Sequence, residues 1–186
     1  MVRLITYDPI EVQNYILSQR GNKFLDIGAG LGFYTLKCAP NFNKVISFEP
    51  CLENYMQILK SCPSNVIVLN IALSSTIGVS HFFSHGSWDL GSLTRFSPSS
   101  TSILTLTLDI LFPNQFFDFC KIDTEGAEHL ILTGARTVTF GKFMIECHGN
   151  EEEVRKCLDK KYNIVKEIQS SSPFFKSHKY LIGEIK

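Results

Sequence analysis

Short apolar runs alternate with amphipathic segments through the first part of the chain. The apolar runs at 24–27, 45–48 and 65–69 have the length of buried strands. Between Pro50 and Pro63, apolar side chains recur at the spacing i, i+3, i+4, i+7 of an amphipathic helix. This alternation predicts an α/β domain with a mostly parallel sheet.

The alternation is interrupted once and then resumes. The stretch 74–105 is rich in Ser, Gly and Thr, and we expect a flap or hairpin there, with strand-like pieces at 79–83 and 103–106. The other predicted elements are helices at 8–19, 31–39, 108–112, 125–134 and 151–161, and strands at 116–123, 142–147, 162–168 and 179–185. The loop between the last two strands is too short for a crossover helix, so these strands must pair antiparallel.

Five β/α units followed by an antiparallel hairpin define the predicted fold class. We expect an α/β Rossmann-like sandwich with a mostly parallel seven-stranded sheet, a terminal hairpin and helices on both faces. A chain of 186 residues can bury one full core, so we predict a single domain over residues 1–186. The terminal hairpin disfavours an NAD-dependent oxidoreductase, because NAD-binding Rossmann domains end in a parallel strand.

The turn after the first predicted strand has the residues of a nucleotide-binding site. Asp26 lies near the strand end, and Gly28, Gly30 and Gly32 follow in the pattern G-x-G-x-G. Glycines allow positive φ and close approach of a ligand, and the next helix directs its first N–H groups at the site. Because the dinucleotide fingerprint is spaced differently and Asp26 would face a pyrophosphate, a ligand with an ammonium or sulfonium group fits better.

Two further polar residues follow the next strands. Glu49 lies about twenty positions past Gly28, where an acid of this fold accepts hydrogen bonds from ribose hydroxyls. Asn70 follows the third strand and is placed to meet an adenine amino group, or else to cap a loop. Ala72 could line the adenine ring.

Net charge, cysteine content and hydropathy indicate the expected partners and cellular location. The formal net charge is zero, so no global basic field indicates nucleic acid or an anionic membrane, although a local basic patch stays open. Six scattered cysteines without C-x-x-C or zinc spacing indicate reduced thiols and a cytoplasmic location. Residues 1–8 lack a signal segment and no stretch is long enough to span a bilayer, so no membrane partner is expected.

Several segments together carry a family resemblance. They are, in order, residues 26–35, 48–54, 70–74, 107–109, 121–128 and 145–148. Together they resemble the FkbM-type methyltransferases over about residues 24–148, and the block Lys-Ile-Asp-Thr-Glu-Gly-Ala-Glu at 121–128 is the most specific part. The resemblance implies S-adenosylmethionine (SAM) as the cofactor. It also implies methylation of an oxygen atom, since most members are taken to act on sugars or small molecules through oxygen.

The cofactor pocket is predicted at the carboxyl ends of the strands, where open α/β sheets bind their ligands. Asp26 would lie near the methionine ammonium group, Glu49 would hold the ribose, and Tyr34 would either close the pocket or pack on the sheet. The full predicted set is Asp26, Gly28, Ala29, Gly30, Gly32, Tyr34, Glu49, Pro50, Asn70, Ala72 and Asp123.

The catalytic residues are predicted at the ends of strands four and five. Asp123 is the first choice of general base, with His148 or Glu146 as the alternative. Lys121 joins this set because cap ribose 2′-O-methyltransferases use a Lys-Asp-Lys-Glu set, although their lysine on the next helix has no counterpart here. Glu125 and Glu128 lie in the same region and could instead cap a helix N-terminus.

The acceptor stays open between a small molecule, a glycan and RNA, and the oligomeric state is not predicted. Trp88 and the phenylalanines at 82–83 could stack a sugar or base, and Arg95 could meet a phosphate or carboxylate, or all could pack within the flap. An RNA cap 2′-O-methyltransferase and a catalytically silent partner subunit are the alternatives. A divalent metal is possible but not predicted, because the acids lack a recognisable ligand spacing.

Overall fold

A computed structural model describes residues 6–84, 91–170 and 178–186. The helices are α1 (Ile10–Ser18), α2 (Phe33–Cys38), α3 (Leu52–Leu59), α4 (Leu108–Leu111), α5 (Glu128–Thr133) and α6 (Glu151–Leu158). The strands are β1 (Gly21–Ile27), β2 (Phe42–Phe48), β3 (Val66–Leu69), β4 (Ala72–Leu73), β5 (Gly78–Ser84), β6 (Gly91–Ser92), β7 (Ser99–Leu106), β8 (Phe116–Ile122), β9 (Thr139–Cys147), β10 (Tyr162–Gln169) and β11 (Lys179–Ile185). None of the helices in these ranges is long and apolar enough to cross a membrane.

The main sheet has seven strands in the order β10-β11-β9-β8-β1-β2-β3. In this sheet β3, β2, β1, β8 and β9 run parallel to one another, whereas β11 runs antiparallel to both β9 and β10. The predicted Rossmann-like α/β class and its terminal antiparallel hairpin are therefore confirmed. Because β1, β8 and β9 lie side by side, the acids at their ends come together.

The central strand β1 explains how the two cores form. Its side chains alternate between the faces, so Leu25 and Ile27 belong to one core while Phe24 belongs to the other. All three are fully or almost fully buried, as expected for a parallel strand covered by helices on both faces. Asp26 breaks this apolar run although it is also fully buried.

Two helices begin later than their sequence patterns predict. Helix α2 begins at Phe33 because Gly32 adopts the left-handed conformation with φ 85°. Helix α5 begins at Glu128, not at residue 125, because Glu125 and Gly126 have φ values of 56° and 112°. The residues after β8 therefore form a turn that directs their side chains to the sheet edge.

A second sheet of four strands occupies most of the stretch in which a flap is predicted. Its order is β4-β7-β5-β6, with β5 and β7 paired antiparallel along their length. The Ser92 hydroxyl donates a 2.7 Å hydrogen bond to the Glu125 carbonyl, which joins this small sheet to the turn after β8. Trp88 lies outside the described residues, so its predicted role in stacking an acceptor stays a prediction.

Candidate active site

A cavity of about 200 Å³ lies at the carboxyl ends of β1, β2, β8 and β9. The small sheet contributes Phe82, Gly91 and Leu93 to its wall, and β11 contributes Tyr180. Of the predicted site residues, those that line the cavity are Gly28, Ala29, Gly30, Tyr34, Glu49, Pro50, Ala72, Lys121, Asp123 and Glu146.

The glycine turn is packed directly against the end of β8. The Gly28 and Ala29 N–H groups both donate to the Phe48 carbonyl, at 3.0 and 3.1 Å. Gly28 has φ 75°, and a Cβ on it would stand 1.7 Å from the Asp123 carbonyl oxygen. Glycine is therefore required at this position by conformation and by contact.

Glu49 closes the other side of the turn. Its carboxylate accepts hydrogen bonds from the Gly30 N–H at 2.7 Å and the Cys51 N–H at 2.9 Å. Burial raises the pKa of Glu49 to about 7, although both hydrogen bonds act in the opposite direction. The carboxylate lies at the cavity wall, so it can accept hydrogen bonds from a pair of ribose hydroxyls.

Asp26 does not face the cavity, contrary to the prediction that it lies near a ligand's ammonium group. It is fully buried, accepts a 2.6 Å hydrogen bond from the Thr35 hydroxyl and lies 3.5 Å from Lys121 Nζ. Burial raises the pKa of Asp26, and the Lys121 charge opposes that rise. Asp26 therefore supports Lys121, and strand alternation places its side chain on the face of β1 opposite to that of Leu25 and Ile27.

Lys121 positions the turn and Asp123. Its Nζ donates a 2.7 Å hydrogen bond to the Gly28 carbonyl and lies 3.3 Å from the Asp123 carboxylate. Burial lowers its pKa, but the charges of Asp123 and Asp26 outweigh burial and raise the pKa above its ordinary value. The raised pKa favours a charged lysine that positions these carboxylates.

Asn70 and Gly32 make structural contacts, and for Asn70 these fit the loop-capping alternative. The Asn70 amide donates to the Glu49 and Pro50 carbonyls, both at 2.9 Å, and thereby fixes the loop after β2. A Cβ on Gly32 would lie 2.8 Å from Ile58, so this glycine lets α2 pack against α3. Neither residue lines the cavity.

We call the group formed by Asp123, Glu125, Glu146, His148 and His178 the acid–histidine cluster. The His148 side chain is 1% exposed, and its Nε2 lies 3.6 to 3.8 Å from carboxylate oxygens of the three acids. Its Nδ1 lies 3.1 Å from Glu128. The turn after β8 and the ends of β9 and β11 bring the five side chains together.

In the metal-free protein the acids around His148 favour its protonated form, which makes it a poorer general base than an ordinary histidine. Burial lowers its pKa, but the hydrogen bond to Glu128 and the charges of Glu128 and Asp123 outweigh burial and raise the pKa to about 9. Burial likewise opposes ionisation of Glu128, yet its bonds to His148 and to the Gly126 N–H lower its pKa to about 2. The two side chains form a buried ion pair.

Glu128 caps the turn after β8, as one of its two predicted roles requires. Its Oε1 accepts hydrogen bonds from the Thr124 and Gly126 N–H groups, both at 3.0 Å. Its Oε2 accepts a 2.7 Å hydrogen bond from the Asn150 amide. Glu125, by contrast, projects from the turn and forms a 2.9 Å ion pair with Arg95.

Glu146 and His178 form a pair in which charge is disfavoured. A 2.7 Å hydrogen bond joins Glu146 Oε1 to His178 Nδ1. Burial and the Asp123 charge raise the pKa of Glu146 well above its ordinary value. Burial and the nearby His148 cation lower the pKa of His178. Among the predicted bases, Asp123 is left as the partly exposed carboxylate, with its side chain 26% exposed.

His178 and Tyr180 are site residues that sequence reasoning missed. Both lie at the start of β11, more than thirty positions after Glu146, and no local motif marks them. The predicted antiparallel hairpin is a usable signal, because it places β11 antiparallel in the sheet. In the structure β11 also pairs with β9, and Tyr180 lies opposite Glu146. This register brings the start of β11 to the carboxyl end of β9.

The fold and site define a class of Rossmann-like methyltransferases that use a nucleoside cofactor. The strand order, the glycine turn after β1 and the buried acid that follows β2 carry this assignment. The chain belongs to the methyltransferase FkbM domain family, whose sequence profile matches residues 26–181. No curated protein matches the chain in sequence.

Solved structures share the fold at low sequence identity. An rRNA methylase from Streptococcus thermophilus superposes with a TM-score of 0.60 at 12% identity, covering 98% of this chain and 99% of that chain. A putative tRNA methyltransferase from Streptococcus pneumoniae, in complex with S-adenosyl-L-methionine, gives 0.58 at 13% identity, covering 94% and 72%. A dimethyladenosine transferase from Plasmodium falciparum gives 0.55 at 14% identity, covering 96% and 62%.

SAM is the cofactor of this chain, as predicted, and the cavity residues fit it. Glu49 presents a buried carboxylate for ribose hydroxyls, and a Cβ built on Gly30 meets no atom within 4 Å, so the turn is open at that point. Tyr34 and Ala72 supply apolar wall. The bound cofactor supplies an electrophilic methyl group on a sulfonium, and the protein's remaining task is to place a nucleophile in line with it.

Proposed function

We propose that the chain methylates an oxygen atom, on a hydroxyl of a small molecule, sugar or ribose. The observation that supports this is the partly exposed carboxylate of Asp123 at the cavity wall, held 3.3 Å from Lys121. A hydroxyl needs a proton acceptor as it attacks, and a positioned carboxylate can take that proton.

In this proposal the two ends of the cavity bind different parts of the reactants. Glu49, which follows β2, binds the ribose, and Asp123, which follows β8, meets the acceptor; β1 lies between these two strands. Two strand spacings of about 4.8 Å each separate β2 from β8, roughly 10 Å in all, which suits an elongated nucleoside ligand. The bound cofactor would supply the electrophilic methyl group, and Asp123 would orient the acceptor hydroxyl and accept its proton.

The cofactor end is tested by calorimetric titration of the purified chain with SAM and with S-adenosylhomocysteine (SAH). Glu49→Ala should weaken SAH binding about 10- to 100-fold, because hydrogen bonds to a charged group contribute about 1.5–3 kcal/mol. Glu53→Ala is the matched control, since Glu53 is exposed on α3, and it should leave the affinity unchanged. A folded chain that binds neither ligand would instead be a silent partner subunit.

The acceptor end is tested with labelled methyl groups on hydroxyl acceptors, from glycans and small molecules to capped RNA. With an acceptor in hand, Asp123→Asn should lower kcat about a hundredfold or more, with SAH affinity nearly unchanged. Asp159→Asn, at an exposed position, is the control. Methyl groups found on nitrogen or carbon in the product would refute the oxygen-directed proposal.

A further inference from the structure

One ring nitrogen of His148 points at three carboxylates without hydrogen bonding to any of them. Its Nε2 is buried and has no hydrogen-bond partner among the described residues. Oxygens of Glu125, Asp123 and Glu146 lie 3.6, 3.7 and 3.8 Å away. These separations exceed hydrogen-bond length. They are close to the roughly 3–3.5 Å between neighbouring ligands of one ion whose metal–ligand bonds are about 2.0–2.2 Å.

The other ring nitrogen of His148 is held by a fourth carboxylate, that of Glu128. Nδ1 lies 3.1 Å from Glu128 Oε1, and Glu128 is itself fixed by the Gly126 N–H and the Asn150 amide. Metal-binding histidines almost always donate their second ring N–H to a carboxylate or carbonyl, which fixes the ring and its tautomer. His148 therefore resembles a metal ligand in two ways: its Nδ1 is held by a carboxylate, and its Nε2 points at a group of possible ligands.

His178 brings a second imidazole to the same place. Its ring centroid lies 4.4 Å from that of His148, and its Nδ1 lies 2.7 Å from Glu146 Oε1. The ligand atoms of Glu146, His148 and His178 all lie within 4.8 Å of one another. The His178 carbonyl accepts hydrogen bonds from Ser170 N–H and the Gln169 amide, which fix the backbone there.

We infer that Glu146, His148 and His178 form a binding site for a first-row transition-metal dication. Two imidazoles and one carboxylate suit Zn²⁺, Fe²⁺, Mn²⁺ or Co²⁺, whereas Mg²⁺ and Ca²⁺ take oxygen ligands. Asp123 and Glu125 already pair with Lys121 and Arg95, so they are neighbours of the ion and not its first ligands.

The site adjoins the cavity, because Glu146 and His178 both line it. An ion bound there would contact an acceptor oxygen and lower the pKa of its hydroxyl. That catalytic role rests on the proposed function, whereas the metal site itself rests on the three ligands. From the sequence a divalent metal is possible but not predicted, because the acids lack a recognisable ligand spacing; His178 lies thirty positions after His148 and is not marked by any motif.

The test is a titration of the purified full chain with Co²⁺, followed by visible absorption. We expect binding of one equivalent with ligand-field bands typical of nitrogen and oxygen ligands. His148→Gln and His178→Gln should each weaken binding at least about tenfold. His81→Gln should leave it unchanged, because His81 is exposed on β5.

SAH calorimetry on the same samples shows whether each variant is folded and reports the cofactor end independently. A folded chain that binds SAH but not Co²⁺ would overturn the metal site and leave the proposed function standing. Binding that survives both histidine substitutions would overturn it as well. So would a thiolate charge-transfer band, which would assign the ion to cysteine.

Discussion

The two ends of the cavity are built in different ways. At the end where the ribose is proposed to bind, which we call the ribose end, Glu49 is held by two backbone N–H groups. Cys51 lies two positions after Glu49, and Gly30 lies in the turn after the neighbouring strand β1. The acid–histidine cluster is assembled from side chains of the turn after β8 and of two distant strands, β9 and β11. The ribose end therefore depends on local backbone geometry, whereas the other end depends on completed tertiary structure.

This difference determines how each end responds to change. Backbone donors stay in place when a side chain is replaced, so substitutions at the ribose end should affect ligand binding more than folding. The cluster contains a buried cation among several acids, so a lost partner leaves an uncompensated charge. Substitutions there should reduce stability as well as activity.

The largest loss of stability is expected at Gly28, because the glycine turn contacts the backbone of Asp123 at this position. Gly28→Ala should destabilise the fold by more than about 4 kcal/mol, because its Cβ would overlap the Asp123 carbonyl and its φ is positive. Gly30→Ala is the matched control and should cost only about 1–2 kcal/mol, from backbone strain. Urea unfolding of both variants measures the difference, and equal losses would show that the contact at Gly28 is unimportant.

Glu128→Ala should rank second and would test the dependence of the cluster on tertiary structure. Removing this fully buried acid leaves the His148 cation and two backbone N–H groups without their partner. The expected loss of unfolding free energy is about 3–5 kcal/mol. Urea denaturation gives the value, with the exposed Glu152→Ala expected within about 0.5 kcal/mol of the unaltered chain. A loss below 1 kcal/mol would contradict a buried ion pair.

A third, smaller effect is the pH dependence of the ribose end. Burial raises the pKa of Glu49 to about 7, and in the proposed binding mode its ionised form would accept the ribose hydroxyls. SAH affinity should therefore rise about tenfold between pH 6 and pH 8, a change of about 1.4 kcal/mol. Calorimetry at both pH values measures it, and Glu49→Gln should abolish the rise. An unchanged slope in that variant would assign the titration elsewhere.

The same group affects stability with a definite sign. The folded chain holds the Glu49 proton up to about pH 7, whereas the unfolded chain releases it near its ordinary pKa of 4.5. Between these values the folded state binds more protons, so this group makes the free energy of unfolding fall as pH rises. Its contribution is complete below pH 4.5 and is lost through pH 7.

The smallest effect is expected for the ion pair between Arg95 and Glu125. Arg95 is 44% exposed in its side chain, so Arg95→Met should change stability by less than about 1 kcal/mol. Urea unfolding at low and high salt measures this change, with the exposed Arg136→Met as the control. A larger loss would mean that the small sheet is held to the turn after β8 chiefly by charge.

Local signals explain how much of the site the sequence can predict. Gly28 and Glu49 are marked by short motifs on adjacent strands, and both line the cavity as predicted. The fold class follows from the alternation of elements and from the short final loop. For Asp26 the motif predicts the position near the strand end but not the direction of the side chain, which contacts Lys121.

The rest depends on geometry that spacing does not encode. Glu125 looks like the first residue of a helix, yet its positive φ places it on a turn that Glu128 stabilises. His178 has no motif around it and reaches the site only because β11 enters the sheet beside β9. The sequence predicts His148 as a possible general base, but it does not show the acids that surround the ring and raise its pKa.

The position of β11 also bears on how the protein matures during synthesis. This strand follows all the other described strands in the chain but lies inside the sheet, between β9 and β10. A nascent chain emerging from the ribosome cannot close that gap until the residues of β11 have left the exit tunnel. Since β11 positions His178 and Tyr180, a partly synthesised chain that lacks β11 would lack a complete site.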